Sequence, residues 1–252
     1  MSEFIIVTHD ERVTTLTISR TDKKNAITKA MYAAMADAIL AYTADDNARA
    51  FVITGAGDMF TSGNDISDFT TELTGNEKPP VVRFLDALRE CPKPVIAAVN
   101  AHAIGIGLTM LLHCDLVYAH ENATFGAPFV KLGVVPEAAS SILLPQAVGM
   151  AVANDILLAG RTLNAKEALD FGLVSRVFND AEYSASIKEL AQHIADSAPI
   201  SMRKSKDLIR NRRGDMTTHM NAEFADFGAQ LKSPEFAESI AAKMQKRKPV
   251  YK

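Results

Sequence analysis

Apolar and polar positions along the chain predict a strand-rich first part followed by a helical last part. Residues 4–8 and 13–18 are rich in β-branched residues, and the polar segment 9–12 between them predicts an antiparallel hairpin. Residues 50–54 and 95–99 are short, continuous apolar runs, which are typical of strands buried on both faces. This mixture predicts an α/β fold.

Helical periodicity indicates where the helices lie. Thr28 can cap a helix that carries apolar residues at helical spacing, and a helix is predicted over 81–90 after a polar, mobile loop at 70–80. A strand is predicted at 173–178. Further helices are predicted over 108–114, 138–148, 151–159, 165–171, 183–197, 200–211 and 215–231, and a last one begins at Ser233. A helical extension that leaves the core needs a partner to bury its apolar face, which favours an oligomer.

Composition narrows the class of protein. The chain has 252 residues, of which 48% are hydrophobic, and this is enough for a sizeable core. A net charge of -3 and a pI near 6.1 give no basic field, which argues against nucleic acid as a partner. The long apolar run at 95–119 contains polar residues that hydrocarbon would penalise, so no membrane span is predicted.

The cysteines and the N-terminus favour a reducing compartment. Cys91 and Cys114 form no Cys-x-x-Cys pair, so neither a disulfide framework nor a zinc site is predicted. The six histidines show no metal-ligand spacing, and no metal site is expected. The N-terminus lacks the pattern of a signal peptide, and we therefore expect a cytoplasmic protein.

Two turns of small residues follow predicted strands and could expose backbone N–H groups to a ligand. One contains Ser62-Gly63-Asn64 and the other Gly105-Ile106-Gly107. The second is not a dinucleotide fingerprint, because Met110 stands where the third glycine would be. When each motif is read alone, an ordinary tight turn is the favoured explanation.

Glu137 is a candidate base with two interpretations. It follows Pro136 and precedes a predicted helix, where an acidic residue in the first turn stabilises the helix dipole without any further role. In an apolar pocket, however, desolvation would raise its basicity towards what proton transfer requires. Backbone donors facing such a base are the parts of an enolate-forming enzyme.

Taken together, several segments resemble the enoyl-CoA hydratase/isomerase family, also called the crotonase family. The segments that carry the resemblance are 24–26, 60–66, 92–100, 114–115, 123–126 and 169–178. The resemblance implies a spiral of ββα units over 1–195 and a helical region used in trimerisation over 196–252. It also implies an acyl-CoA thioester as ligand, and a homotrimer or a dimer of trimers as the assembly.

The resemblance is greatest to the peroxisomal-type Δ3,Δ2-enoyl-CoA isomerases. By position, Thr109 and Phe129 replace the two glutamates that the family's hydratases use, so ordinary hydration is not expected. In the isomerases the glutamate that matches Glu137 is the single acid/base, and the amides that match Asn64 and Ile106 form the oxyanion hole. Phe129 is expected to form an apolar wall that excludes water.

The resemblance implies a binding site for the rest of the substrate. Coenzyme A belongs to the substrate, and no metal or redox cofactor is implied. The implied binding residues are Lys24, Ala26, Ser62, Gly63, Asp65, Ile66, Gly107 and Phe129. Two alternatives stay open: another acyl-CoA reaction of the family, such as hydration, hydrolysis or decarboxylation, and an acyl-CoA-binding protein without turnover.

Overall fold

The computed structural model describes residues 2–70, 78–210, 216–247 and 249. Most of the predicted loop at 70–80 falls outside the described residues, as does the end of the basic tail. The described strands are β1 (Ile5–Asp10), β2 (Val13–Ile18), β3 (Ala50–Gly55), β4 (Met59–Thr61), β5 (Val95–Val99), β6 (His102–Ile104), β7 (Leu116–His120), β8 (Thr124–Gly126), β9 (Thr162–Asn164) and β10 (Arg176–Phe178). The described α-helices are α1 (Lys29–Ala44), α2 (Pro80–Glu90), α3 (Ile106–Thr109), α4 (Ser140–Val148), α5 (Met150–Leu157), α6 (Ala165–Asp170), α7 (Asp180–Ala195), α8 (Pro199–Arg210), α9 (Met216–Gln230) and α10 (Pro234–Met244).

The strands form two sheets, and from β3 to β8 consecutive strands alternate between the two sheets in a repeating order. The larger sheet has the order β1-β2-β3-β5-β7-β10, and the smaller has the order β4-β6-β8-β9. The pairs β3/β4, β5/β6 and β7/β8 each send their first strand to the large sheet and their second to the small one, and α2 and α3 follow the first two pairs. The expected spiral of ββα units is therefore confirmed.

The large sheet is buried on both faces. All five residues of β5 are buried, as the continuous apolar run predicted. One face packs against α1 and α2 in the main core, and the other packs against Ala191 and Ala195 of α7. The predicted hairpin is also present, with β1 antiparallel to β2 and Ile5 opposite Ile18.

Capping residues set two helix starts that the sequence predicted. The Thr28 side chain accepts a hydrogen bond from the Met31 N–H at 3.3 Å, and the Ser233 side chain accepts one from Phe236 at 3.1 Å. Each bond satisfies an N–H group that has no partner within its own helix. The helices α1 and α10 begin where these caps place them.

The last helices pack on the core of their own chain. Met216 and Met220 of α9 and Phe236 of α10 are buried in the main core. The helix α8 is held by Asp115, whose carboxylate lies 2.6 Å from Lys206 Nζ and 3.1 Å from Arg210 Nη2. Part of the apolar surface that was expected to need a partner is therefore covered within the chain, while the boundary at 195/196 and the oligomer stay predictions.

Five strands and one helix differ from the sequence prediction. The strands β4, β6, β8 and β9 have three residues each, too few for a period of two to be visible. The strand β7 lies inside the apolar run that was assigned to one strand and one helix. The helix predicted over 108–114 is instead α3 followed by a 3-10 turn at Met110–His113. Within the described ranges, the helices are too short or too polar to cross a membrane.

Candidate active site

The two turns of small residues lie against each other. Gly63 has φ +101°, and a Cβ placed there would lie 3.2 Å from the Ile104 carbonyl oxygen. Gly105 has φ +60°, and a Cβ there would lie 3.9 Å from Gly63 Cα. The positive φ angles favour glycine at both positions, and at Gly63 the Ile104 carbonyl also leaves little room for a Cβ. The turns that the sequence pointed to are thus one structural unit.

The N–H groups of Asn64 and Ile106 point away from regular pairing. Ile27 N donates to Gly63 O, and Asp65 N donates to Ile27 O, each at 2.9 Å. These two bonds use the groups on either side of Asn64, so its own N–H faces the other way in this parallel bridge. Ile106 is the first residue of α3, where an N–H has no intrahelical acceptor. Regular backbone pairing within the described residues therefore leaves both N–H groups unused.

Glu137 is presented by a left-handed turn, not by the first turn of a helix. Ala138 and Ala139 have φ of 56° and 55°, and α4 begins only at Ser140. Such angles are uncommon for residues with a side chain and persist only where the surroundings enforce them. His113 Nε2 lies 2.7 Å from the Ala138 carbonyl, which holds this turn. The interpretation of Glu137 as an acid in the first turn of a helix is therefore wrong, because α4 begins only at Ser140.

Burial perturbs Glu137 strongly. Its side chain is only 3% exposed, and its Oε1 accepts a hydrogen bond from the Thr109 hydroxyl. Burial raises the pKa of Glu137 to about 7, the Thr109 hydrogen bond opposes the rise, and the charge of Glu223 adds to it. A carboxylate with this pKa can both take and return a proton near neutral pH.

Glu137 and Asn64 line the same cavity of about 390 Å³. Most of its walls are apolar side chains from α1, α2 and α9 and from residues that lie next to these helices. Those apolar residues are Ile27, Tyr32, Pro79, Pro80, Val81, Val82, Phe224, Phe227 and Leu231. A mostly apolar cavity with a few polar groups at one end is the usual form of a small-molecule site.

Tyr32 is a site residue that the sequence prediction missed. Its hydroxyl donates to the Asn64 side-chain oxygen, and its ring lies 5.7 Å from that of Phe84. Burial, and secondly the charge of Glu137, raise the pKa of Tyr32, so it stays a donor. Its position in α1 looked like any apolar helix position, and only the fold brings it to Asn64.

Asp65 and Asp68 are the other carboxylates among the described residues that line the cavity, and both have partners. Asp65 lies 2.6 Å from Arg20 Nη1, and Asp68 accepts from the Lys29 N–H at 2.6 Å. Burial alone would raise the pKa of Asp65, but hydrogen bonds from Ser67 and Arg20 hold it below its usual value. Glu137 is therefore the described lining carboxylate that is suited to act as a base.

The other predicted site residues lie around this centre but do not line the cavity. Ser62, Gly63, Ile106 and Gly107 belong to the paired turns, and the Ser62 N–H donates to the Lys24 carbonyl at 3.0 Å. Lys24 is exposed, and the Ala26 carbonyl accepts from Arg20 at 3.0 Å.

Two further predicted residues lie apart from the cavity wall. Ile66 begins a 3-10 turn at Ile66–Thr70. Phe129 is buried in the main core, away from the cavity wall where it was expected. Thr109 and Phe129 are the two positions at which the hydratases carry glutamates. Of these two residues, Thr109 is the one that contacts Glu137.

The two-sheet spiral and the buried acid beside paired glycine turns define the crotonase class of α/β proteins. Residues 8–252 match the family described as enoyl-CoA hydratase/isomerase. A solved structure of an enoyl-CoA hydratase/isomerase from Pseudoalteromonas atlantica superposes with a TM-score of 0.96 at 48% identity, covering 99% of this chain and 100% of that one. The chain belongs to the enoyl-CoA hydratase/isomerase family.

Similar proteins within the family carry different names. Enoyl-CoA delta isomerase 2 of Rattus norvegicus is 40% identical over 88% of this chain. The match covers only 58% of the length of that relative. Carnitinyl-CoA dehydratase of Salmonella typhi is 32% identical over 100% of this chain and 99% of the relative. Membership of the family therefore does not by itself specify the reaction of this protein.

Proposed function

We propose that the protein is a Δ3,Δ2-enoyl-CoA isomerase. A 3-enoyl-CoA binds with its thioester oxygen at the amides of Asn64 and Ile106. Glu137 removes a proton from C2, the negative charge moves to that oxygen, and the double bond migrates. The same carboxylate then returns the proton to C4, giving a 2-enoyl-CoA. The proton goes back to the same molecule, so the reaction needs no redox partner.

One observation carries this proposal: among the described residues, one buried carboxylate, Glu137, whose pKa is raised to about 7, lines an apolar cavity together with Asn64. One base is enough because C2, which loses the proton, and C4, which receives it, lie on one face of a short allylic unit. The apolar wall disfavours the water that would add across the product's double bond. Donors aimed at the developing oxyanion are expected to supply a large share of the rate.

A second candidate is addition or elimination of water on an acyl-CoA. The similarity to carnitinyl-CoA dehydratase along the whole chain supports it. Against it stand Thr109 and Phe129, which replace the two expected glutamates, and the pairing of Asp65 and Asp68 with other groups. Isomerisation is therefore the reaction that the described site residues favour.

The proposal is tested with two substrates. The protein is incubated with trans-3-hexenoyl-CoA and, separately, with crotonyl-CoA, and products are followed by ultraviolet absorbance and chromatography. We expect conversion of the first to 2-hexenoyl-CoA and at most slow hydration of the second. Rapid hydration of crotonyl-CoA without isomerisation would show that the second candidate is correct, and no turnover of either would favour a binding protein.

Replacing Thr109 by valine is expected to shift the pH dependence of the reaction. Valine keeps the shape but removes the hydrogen bond that lowers the pKa of Glu137. Because Glu137 must be ionised to act, the acidic limb of the kcat/KM profile moves up by about one pH unit. The profile is measured between pH 5 and pH 9 for both proteins. An unchanged limb would mean that Glu137 is not the titrating base.

A further inference from the structure

A second buried acid lies behind Glu137, on the helix that walls the cavity. Glu223 of α9 is only 7% exposed. Its Oε1 accepts hydrogen bonds from the Ser141 N–H at 3.1 Å and from the Ser141 hydroxyl, and His219 Nε2 lies 3.3 Å away. His219 Nε2 also lies 2.6 Å from the Ser141 hydroxyl. The three contacts made by Glu223 are all on the same oxygen, Oε1.

The other oxygen of Glu223 has no compensating contact. Its Oε2 is buried and has no hydrogen-bond partner among the residues that the structure describes. Leaving a charged oxygen buried and unpaired is costly, and proteins keep such groups rarely. The described polar contacts of this carboxylate are therefore one-sided, with Oε1 bonded and Oε2 left without a hydrogen bond.

The contacts of Glu223 join two parts of the site. Ser141 lies four residues after Glu137, and the intervening Ser140 N–H donates to the Glu137 carbonyl at 3.0 Å. On the other side, Phe224 follows Glu223 directly and lines the cavity, as do Phe227 one turn further along α9 and Leu231 just after its end. Glu223 thus connects the turn that presents Glu137 to the wall formed by α9.

We propose that Glu223 is a positioning residue for proton transfer at Glu137: it fastens the turn that carries Glu137 to α9 and places a second negative charge behind that acid. This inference rests on the proposed function, in which Glu137 is the base. Glu223 lies in α9. It is therefore distinct from positions 109 and 129, where the family's hydratases carry their glutamates.

The electrostatics agree with the geometry. Burial is the largest cause of the raised pKa of Glu137, and Glu223 adds to the rise because a like charge opposes ionisation. Tyr32 of α1 and His113, which bonds the Ala138 carbonyl, are the other titratable groups at Glu137 and its turn among the described residues. His219, on the same helix as Glu223, faces it from the solvent side.

A matched pair of variants separates charge from anchoring. Glu223→Gln keeps the shape and an oxygen that can accept from Ser141, but removes the charge. Ser141→Ala removes one hydrogen bond and keeps the charge. We expect the acidic limb of kcat/KM to move down by about 0.5 to 1 pH unit in Glu223→Gln, with KM nearly unchanged, and to stay in place in Ser141→Ala. An unmoved limb in Glu223→Gln, or equal shifts in both variants, would overturn the proposal.

A measurement without substrate keeps this test independent of the reaction. The protonated Glu137 carboxyl is titrated by infrared spectroscopy, and its band is identified by its loss in Glu137→Gln. We expect the titration midpoint to fall in Glu223→Gln. If the midpoint moves but 3-hexenoyl-CoA is not isomerised, the proposed function fails, and only the electrostatic effect of Glu223 on Glu137 remains. If isomerisation occurs and the midpoint does not move, the proposed function holds and the role of Glu223 fails.

Discussion

Glu137→Gln is expected to reduce kcat for 3-enoyl-CoA isomerisation by about 1000-fold or more. Glutamine fills the same space and can accept the hydrogen bond from Thr109, but it can neither take nor return a proton. Loss of a positioned acid/base costs about 100-fold to 10,000-fold, and here one group performs both transfers. The rate is measured with saturating trans-3-hexenoyl-CoA at pH 8.

Two controls distinguish loss of proton transfer from loss of substrate binding and from a non-specific effect of replacing a glutamate. Affinity for a non-reactive acyl-CoA should be unchanged in Glu137→Gln, because the cavity keeps its walls. Glu189→Gln, which removes an exposed glutamate of α7, should react at the wild-type rate. If Glu137→Gln kept more than about a tenth of the activity, a different group would have to be the base.

The paired turns are the part of the site that the sequence predicted best. Glycine at 63 and 105 suits the positive φ angles, and at 63 also the close approach of the Ile104 carbonyl, and this preference is visible in the residue type itself. The position of Glu137 in a pocket was one of two open interpretations. Only the fold decided it, because burial of a carboxylate depends on residues far away in the chain, such as Thr109 and the helix α9.

Long-range partners account for what the sequence prediction missed. Tyr32 contacts Asn64 across 32 residues, and Glu223 contacts Ser141 across 82. Neither residue has a neighbour along the chain that marks it as special. The three-residue strands β6, β8 and β9 escape for a similar reason, since pairing with distant strands forms them and not any local pattern.

The same Glu137→Gln variant is expected to be more stable than the wild type at neutral pH. Burial raises the pKa of Glu137 from 4.5 to about 7, so the folded protein holds a proton that the unfolded chain has lost between these values. Stability of the wild type therefore falls as pH rises from about 4.5 to about 7 and stays lower above that range. A shift of this size corresponds to about 3 kcal/mol.

Urea unfolding at pH 4, 6 and 8 measures this effect. The two proteins should be nearly equal in unfolding free energy at pH 4, where the carboxyl is protonated in both states. The gap should open at pH 6 and reach about 3 kcal/mol at pH 8. Glu189→Gln should show no such gap, because that glutamate is exposed. A gap independent of pH would mean that better packing stabilises the variant. Ionisation of the buried Glu137 carboxyl would then not be what destabilises the wild type.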